Sequence, residues 1–440
     1  MNNSRLFKKT LLAVTIATTT LASQQALAAG FQLNAQSATG IGRAFAGDAV
    51  IADNASVMAR NPAAMALFDK MELSLGFESI TTMIEVKDAT YTNNLPTLVG
   101  GQPSVLDVPD TDDVGSTSIA PNIHLIVPVN DQFAWGVNAY SNFGTKTEFS
   151  NDYVASEYGG LTDVKSFNFG LAGSYRLNEQ WSFGAGLDLI YGQGTMKREA
   201  SQSFGAGVPG VIPSAGTAFV DVDKADGFAV GFNVGMVFEL DENNRFGLSY
   251  RYSPEFEAED DKGQKIVLPL PDIAEFSGYH KIEDTKFAVH YSIQYIGWSA
   301  FDKIEFDNLQ GSPLGTSYDK PYEWQDGWHY AIGGTYYLNN DWTLRAGYMY
   351  DTSAQDSLTS ISVPDSDRQW FSTGFTYHID TSSNIDFGFT YLMGDDVQVN
   401  ESLSTELPAA LGGGSAEISN VSATTRANAI LVGLQYSRSF

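Results

Sequence analysis

The residues able to do chemistry are scattered along this 440-residue chain. Its five histidines, His124, His280, His290, His329 and His378, fall in separate segments. No HExxH, GxSxG or EF-hand pattern is present, so the reading is no enzyme, no cofactor and no metal, with a surface Ser-His lipase the weakest alternative. The stretch Gly40-Ile-Gly42-Arg-Ala-Phe-Ala-Gly47 superficially resembles a phosphate loop. No strand precedes it and its spacing is wrong, so its glycines are read as permitting close packing in a narrow lumen. Acids crowd into Asp107–Asp113 and Glu255–Asp261. Such clusters are mostly solvated, self-repelling loops; a divalent-cation site bridging lipopolysaccharide is the sharper reading. Asn61-Pro62-Ala63 has a local meaning: Asn caps a helix, and Pro is pre-shaped for the first helical position.

The elements that must position these residues are strands in an exported protein. Residues 1–28 read as a signal peptide. Arg5, Lys8 and Lys9 precede an apolar core, and Ala26-Leu27-Ala28 forms a small-residue cleavage site. Net charge is −27, and removing the three cations of this leader leaves −30, which argues against nucleic acid as a partner. There is no cysteine, hence no disulfide. After Leu21 no stretch of ~18 apolar residues occurs, which excludes a helical membrane protein. Yet 12% of residues are aromatic and 42 are glycine. Together these features suggest an outer-membrane barrel, whose hydrophobicity is hidden in alternation.

The alternation is plain from Met71 onward. In Phe228–Phe238, the residues Phe228, Val230, Phe232, Val234, Met236 and Phe238 share one face, and Ala229, Gly231, Asn233 and Gly235 lie on the other. Fourteen strands are predicted, near 71–84, 116–128, 133–149, 164–176, 181–199, 225–240, 246–256, 272–282, 285–301, 328–338, 342–350, 367–379, 384–393 and 425–440. Short Asn/Asp-rich turns, such as Asn130-Asp131 and Asn178-Glu179-Gln180, alternate with long links. A barrel inserted in one direction sorts its connections this way; a soluble sandwich has no reason to. Trp135, Trp181, Tyr250, Tyr252, Tyr336 and Trp342 lie near strand ends, where a lipid interface would hold them. The chain closes on an alternating strand ending in Phe440, the kind of end that barrel-assembly machinery handles.

Residues 29–70 break the pattern. They are rich in Ala, Gly, Asn and Asp, and are read as a helical plug, or hatch, inside a barrel spanning 71–440. The third strand is long and interrupted at Ser141-Asn142-Phe143-Gly144, where Gly144 tolerates a kink and ladder hydrogen bonds can be lost. Unpaired backbone in lipid must be covered by protein or water, and Asn61 in the plug is the candidate cover.

The segments AGFQLNAQSATGIGRAFAG, IADNASVMARNPAAMALFD, NDQFAWGVNAYSNFGTKTEF, FGLSYRY, HYSIQYIGWSAFDKIE and GGTYYLNNDWTLRAGYMYD resemble the FadL family of outer-membrane long-chain fatty acid transporters. The resemblance spans Ala29 to Phe440. It implies a fourteen-stranded antiparallel barrel in the bacterial outer membrane, with an N-terminal hatch. It also implies capture of substrate from outside, and sideways release through a wall opening at the interrupted strand beside the Asn61-Pro62-Ala63 hatch. Arg198 and Lys320 are the positions it implies for binding the carboxylate. By strand parity Arg198 faces the lumen, whereas Lys320 must lie in a loop or beyond a bulge. The alternative cargo is another hydrophobic compound, such as a monoaromatic hydrocarbon. Long acidic outer loops leave room for a phage-receptor role.

Overall fold

The structure is a computed structural model describing residues 30–207, 212–407 and 413–440; the predicted leader lies outside these residues. Twenty strands form among the described residues. In chain order they are β1 (Glu72–Asn93), β2 (Ser104–Val108), β3 (Thr117–Pro128), β4 (Phe133–Glu148), β5 (Leu161–Arg176), β6 (Trp181–Glu199) and β7 (Ala218–Glu239). Next come β8 (Asn244–Tyr252), β9 (Glu255–Glu259), β10 (Lys265–Pro269), β11 (Ile273–Lys281), β12 (Phe287–Ile296), β13 (Lys303–Asp307) and β14 (Ser317–Pro321). The last are β15 (Gly327–Tyr337), β16 (Trp342–Asp351), β17 (Arg368–His378), β18 (Ser383–Gly394), β19 (Val397–Leu407) and β20 (Gly414–Ser439).

Fourteen of these close a ring: β1, β3 to β8, β11, β12, β15 to β18 and β20, each antiparallel to the next, with β20 returning to β1. These match the fourteen segments expected from alternation. The limits differ on the long-loop side, where β1 runs to Asn93 and β20 begins at Gly414. The remaining six strands lie in links expected to be loops. There β9 pairs with β10, β13 with β14, and β19 with β20, so these links are folded hairpins that extend the wall. Their short alternating runs were masked in the sequence by the surrounding acidic and glycine residues.

Every short turn lies at the opposite rim. Asn130, Asn178 and Asn339 each accept backbone N–H bonds from the residues two and three positions on, which closes the turn without help from the strands. Along the wall the period-two pattern becomes two environments. Phe228 and Val230 of β7 are 64% and 63% exposed on the outer face, while Asn233 is buried on the inner one. An outer face this apolar is stable only against lipid. Among the described residues no helix is long and apolar enough to cross a membrane; crossing is done by strands.

The inner faces are covered by residues 30–67. A short helix, Ala38–Gly42, is capped by the Ser37 hydroxyl, which accepts from the Gly40 N–H at 2.9 Å. A second, Val57–Arg60, leads into a 3-10 helix, Pro62–Leu67, capped by Asn61. These residues are small because the inner wall approaches closely. A Cβ on Gly184 would strike Ala63, and one on Gly235 would strike the Asn61 amide oxygen. Ion pairs tie the segment to the wall. Asp53 meets Arg345 of β16 at 3.2 Å, and Arg60 meets Glu275 of β11 at 3.5 Å.

A side chain at Gly235 therefore opposes the seating of residues 61–63. Gly235→Val is expected to cost about 1–3 kcal/mol of overpacking, read as a lower temperature for the folded-to-unfolded band shift in SDS gels. Gly173→Ala, on the outer face of β5 with its nearest atom 3.9 Å away, should leave that temperature unchanged.

Candidate ligand site and wall opening

Arg198 stands near the outer end of β6, and Lys320 in the β13–β14 hairpin. They come from separate extensions of the wall, yet both line one cavity of about 230 Å³. Parity placed Arg198 inward, and it is buried. Lys320 lies outside β15, as its failed parity required. Apolar side chains, Met196, Phe219, Phe306 and Leu403 among them, share the cavity walls with the charged Glu157, Arg198, Lys320 and Glu401.

The two cations differ in their partners. The Arg198 guanidinium donates to the Leu161 and Lys197 carbonyl oxygens, both at 2.8 Å, and to Thr162 Oγ1 at 2.7 Å. Its Nε has no hydrogen-bond partner, and among the described residues no carboxylate forms an ion pair with it. A buried cation with only neutral acceptors is costly, and a carboxylate ligand would offset that cost. Lys320 Nζ instead contacts Glu401 at 2.7 Å and sits 5.5 Å from the Tyr322 ring centre. Burial opposes its charge most strongly, but Glu401 together with Tyr322 and Tyr318 outweighs burial and raises its pKa above the ordinary lysine value.

From Tyr322 an aromatic cluster runs inward. Tyr322 packs on Phe301 at 4.9 Å, and Phe301 on Trp324 at 4.5 Å. Phe31 of the N-terminal segment packs on Trp298 at 4.7 Å and reaches Phe143 of β4 at 6.1 Å. Gly30, with φ +60°, is wedged between Trp298 and Trp324, where a Cβ would lie 2.6 Å from either ring.

Phe143 belongs to the expected interruption, which takes a specific form. On one side β4 pairs with β5 throughout but slips between Ser141 and Gly144, a one-residue bulge opposite Ser166. On the other side, pairing with β3 stops at Ile123–Ala139. Beyond that point β3 continues beside β1 only. The N-terminal segment takes the vacated edge. Leu33 N–H donates to the Asn142 carbonyl at 2.9 Å, and Gly144 N–H donates to the Phe31 carbonyl at 2.8 Å. Gln32 and Phe143 form an antiparallel bridge.

The expected cover, Asn61, is therefore corrected. Its amide nitrogen donates to the Ala49 and Met236 carbonyl oxygens, at 2.8 and 3.0 Å, and its oxygen accepts from Ala63 N–H at 3.0 Å. With its donors spent there, Asn61, with Pro62 and Ala63, is seated on β6 and β7. Only its neighbours Ala59 and Arg60 share a small cavity with Asn142 and Phe143. Main-chain atoms cover the break better because a strand edge offers alternating donors and acceptors. Sequence reading also missed Phe31, Trp298, Trp324 and Glu401. Aromatics out of step with the strand period, in GWSAF and PYEW, were the available signal for two of these, Trp298 and Trp324. Among the described residues no cluster of His, Cys, Asp or Glu could hold a metal ion.

Comparison with known proteins agrees with this architecture. Residues 19–440 match the family model described as outer membrane protein transport protein (OMPP1/FadL/TodX). The long-chain fatty acid transport protein of Salmonella typhi is 35% identical over 433 residues, covering 91% of this chain and 95% of that protein. Outer membrane protein P1 of Haemophilus influenzae is 32% identical, with 99% of each chain covered. In solved structures, a Pseudomonas aeruginosa FadL homologue superposes with a TM-score of 0.78 at 21% identity, covering 94% of this chain and all of that one. The P. putida toluene transporter TodX gives 0.61 at 18% identity, covering 88% and 94%. A fourteen-stranded barrel with residues 30–67 against its inner wall, matched along nearly its whole length, this chain belongs to the FadL/TodX family of outer-membrane transport proteins.

Proposed function

We propose that this protein takes up long-chain fatty acids across the outer membrane by a passive route. The observation that carries the reading is the buried Arg198 guanidinium, without an ion-pair partner among the described residues, at a partly apolar cavity shared with Lys320. Burying a hydrocarbon chain is worth ~0.8 kcal/mol per CH₂. A long acyl chain therefore gains on the order of 10 kcal/mol in an apolar site, and a water-filled pore offers it nothing comparable. The carboxylate goes to Arg198 and Lys320, and the chain extends toward the aromatic cluster. Relatives named as fatty acid transport proteins support this cargo. The toluene transporters among the structural neighbours keep a neutral hydrocarbon in view, but a buried Arg198 whose hydrogen-bond acceptors are all neutral favours an anionic ligand.

In this reading residues 29–70 act as a hatch and 71–440 as the conduit. The aromatic cluster leads from the cavity to Phe143. The open edge of β4 at Ser141-Asn142-Phe143-Gly144 is the exit, with Phe31–Leu33 as its cover and Asn61-Pro62-Ala63 as the anchor of the hatch. Release into the membrane is the route of lowest cost for an apolar molecule. No chemical step is needed, only a shift between covered and uncovered states.

Replacing Arg198 and Lys320 together with Ala should weaken oleate binding by ~1.5–3 kcal/mol per lost charge-assisted hydrogen bond, with little effect on oleyl alcohol. Calorimetry on the detergent-solubilised protein measures both; equal losses for the two ligands would remove the head-group assignment. The exit is tested by deleting Asn142. The bulge holds one extra residue, so this deletion restores register with β5 and keeps Phe143 facing inward. The deleted form should remain heat-modifiable and bind oleate, while oleate uptake by cells collapses. Uptake at the wild-type rate by a folded deletion protein would rule out this exit.

A further inference from the structure

Lys320 already holds a carboxylate. Glu401, on β19, places Oε2 at 2.7 Å from Lys320 Nζ. Its other oxygen, Oε1, accepts from the Ile361 N–H at 2.7 Å. One side chain thus joins the cavity to the link between β16 and β17. That link has two further attachments. The Ser362 carbonyl accepts from Thr147 Oγ1 at 2.7 Å, on β4 beyond the bulge. Asp365 Oδ1 accepts from the Gly30 N–H at 3.3 Å, immediately before the residues that cover the bulge. Glu401 therefore connects Lys320 to both sides of the β4 edge through a single buried segment.

The charges in the cavity give this connection a direction. The carboxylates of Glu157 and Glu401 and the cations Arg198 and Lys320 line the same space. Glu157 is buried and accepts from Tyr91 and Ser419 hydroxyls, so no cation is held in reserve for it. A ligand carboxylate docking on Arg198 arrives beside Glu401, and repulsion between like charges in a site of low dielectric sets the two in competition for Lys320. The ligand carries the longer apolar tail, so its burial decides which carboxylate stays.

We propose that Glu401 is a resident carboxylate that the ligand's own carboxylate displaces from Lys320, which makes Glu401 a specificity-determining and positioning residue. A neutral hydrocarbon cannot compete for Lys320 and leaves Glu401 in place. An anionic ligand expels it, frees the Ile361 N–H, and loosens the segment that grips Gly30 and Thr147. The inference rests on the assignment of Arg198 and Lys320 as the head-group site.

Glu401→Gln keeps an acceptor for Ile361 but removes the competing charge. In purified full-length protein, oleate affinity should rise about tenfold, and oleyl alcohol affinity should stay within about twofold. Unchanged or weakened oleate binding, with Lys320→Ala still weakening it, would overturn the displacement alone. Lys320→Ala without effect on oleate would overturn the head-group site and this inference together. Heat-modifiability identifies folded variants, and Glu401→Asp, which keeps the charge, should lack the tenfold gain; if it shows the gain, the charge is not the competitor. The coupling has its own readout because the chain has no cysteine. A single thiol at Gln32→Cys, buried in the covering segment, should react faster with a maleimide when oleate binds. Adding Glu401→Ala should give the fast rate without ligand; a rate unchanged by Glu401→Ala would overturn the coupling.

Discussion

In hydrocarbon, every backbone N–H and C=O must find its partner within the protein, and this requirement shapes the molecule. Thirteen neighbouring pairs and a final closure of β20 onto β1 satisfy it by leaving no free edge along most of the wall. Between β3 and β4 the pairing stops beyond Ala139, and there the requirement returns as a local problem. The N-terminal segment supplies the missing edge with main-chain atoms of Phe31 and Leu33. A break covered by a separate segment differs from a sealed ladder: its cover is held by two main-chain hydrogen bonds and not by the ring itself.

The same logic explains why the interior is polar where it meets residues 30–67 and apolar farther out. Asp188, buried on β6, is paired with Arg251 and accepts from Asn168 and Asn233, so strands β5 to β8 are linked beneath the lipid-facing surface. Buried charges of this kind add little net stability as complete networks, but removing one member is expensive. They hold the N-terminal segment at fixed positions, as Arg251 does by donating to the Ala59 carbonyl. Farther out the wall continues as hairpins, and the buried residues become the aromatic and aliphatic lining in which an acyl chain could dissolve. Arg198, Glu157 and the Lys320–Glu401 pair are the charged exceptions in that lining, and Arg198 and Lys320 are where we propose that a charged end binds.

Much of this was legible in the chain. Period-two alternation, Asn/Asp turns and the contrast of short and long links depend on local rules, so the fourteen wall strands and their direction followed from sequence. The Asn61 cap and the Pro62 start were legible for the same reason, since a cap is a contact between residues two or three apart. The bulge was visible as a disturbance at Ser141–Gly144, although not its size of one residue. The six extension strands were not legible, because short hairpins in acidic, glycine-rich links carry too few alternations to stand out.

The sequence by itself determined which residues face lipid, where the wall turns, and that the N-terminal segment does not join the wall as a strand of its own. Only the tertiary structure decided what meets what across the lumen. Arg198 and Lys320 are 122 positions apart and share a cavity because two separate extensions fold over it. Phe31 rather than Asn61 covers the break, since the choice depends on where a strand edge is left open after the ring closes. Glu401 faces Lys320 for a similar reason. Such contacts follow from closure and register summed around fourteen strands, and no local pattern of residues encodes that sum.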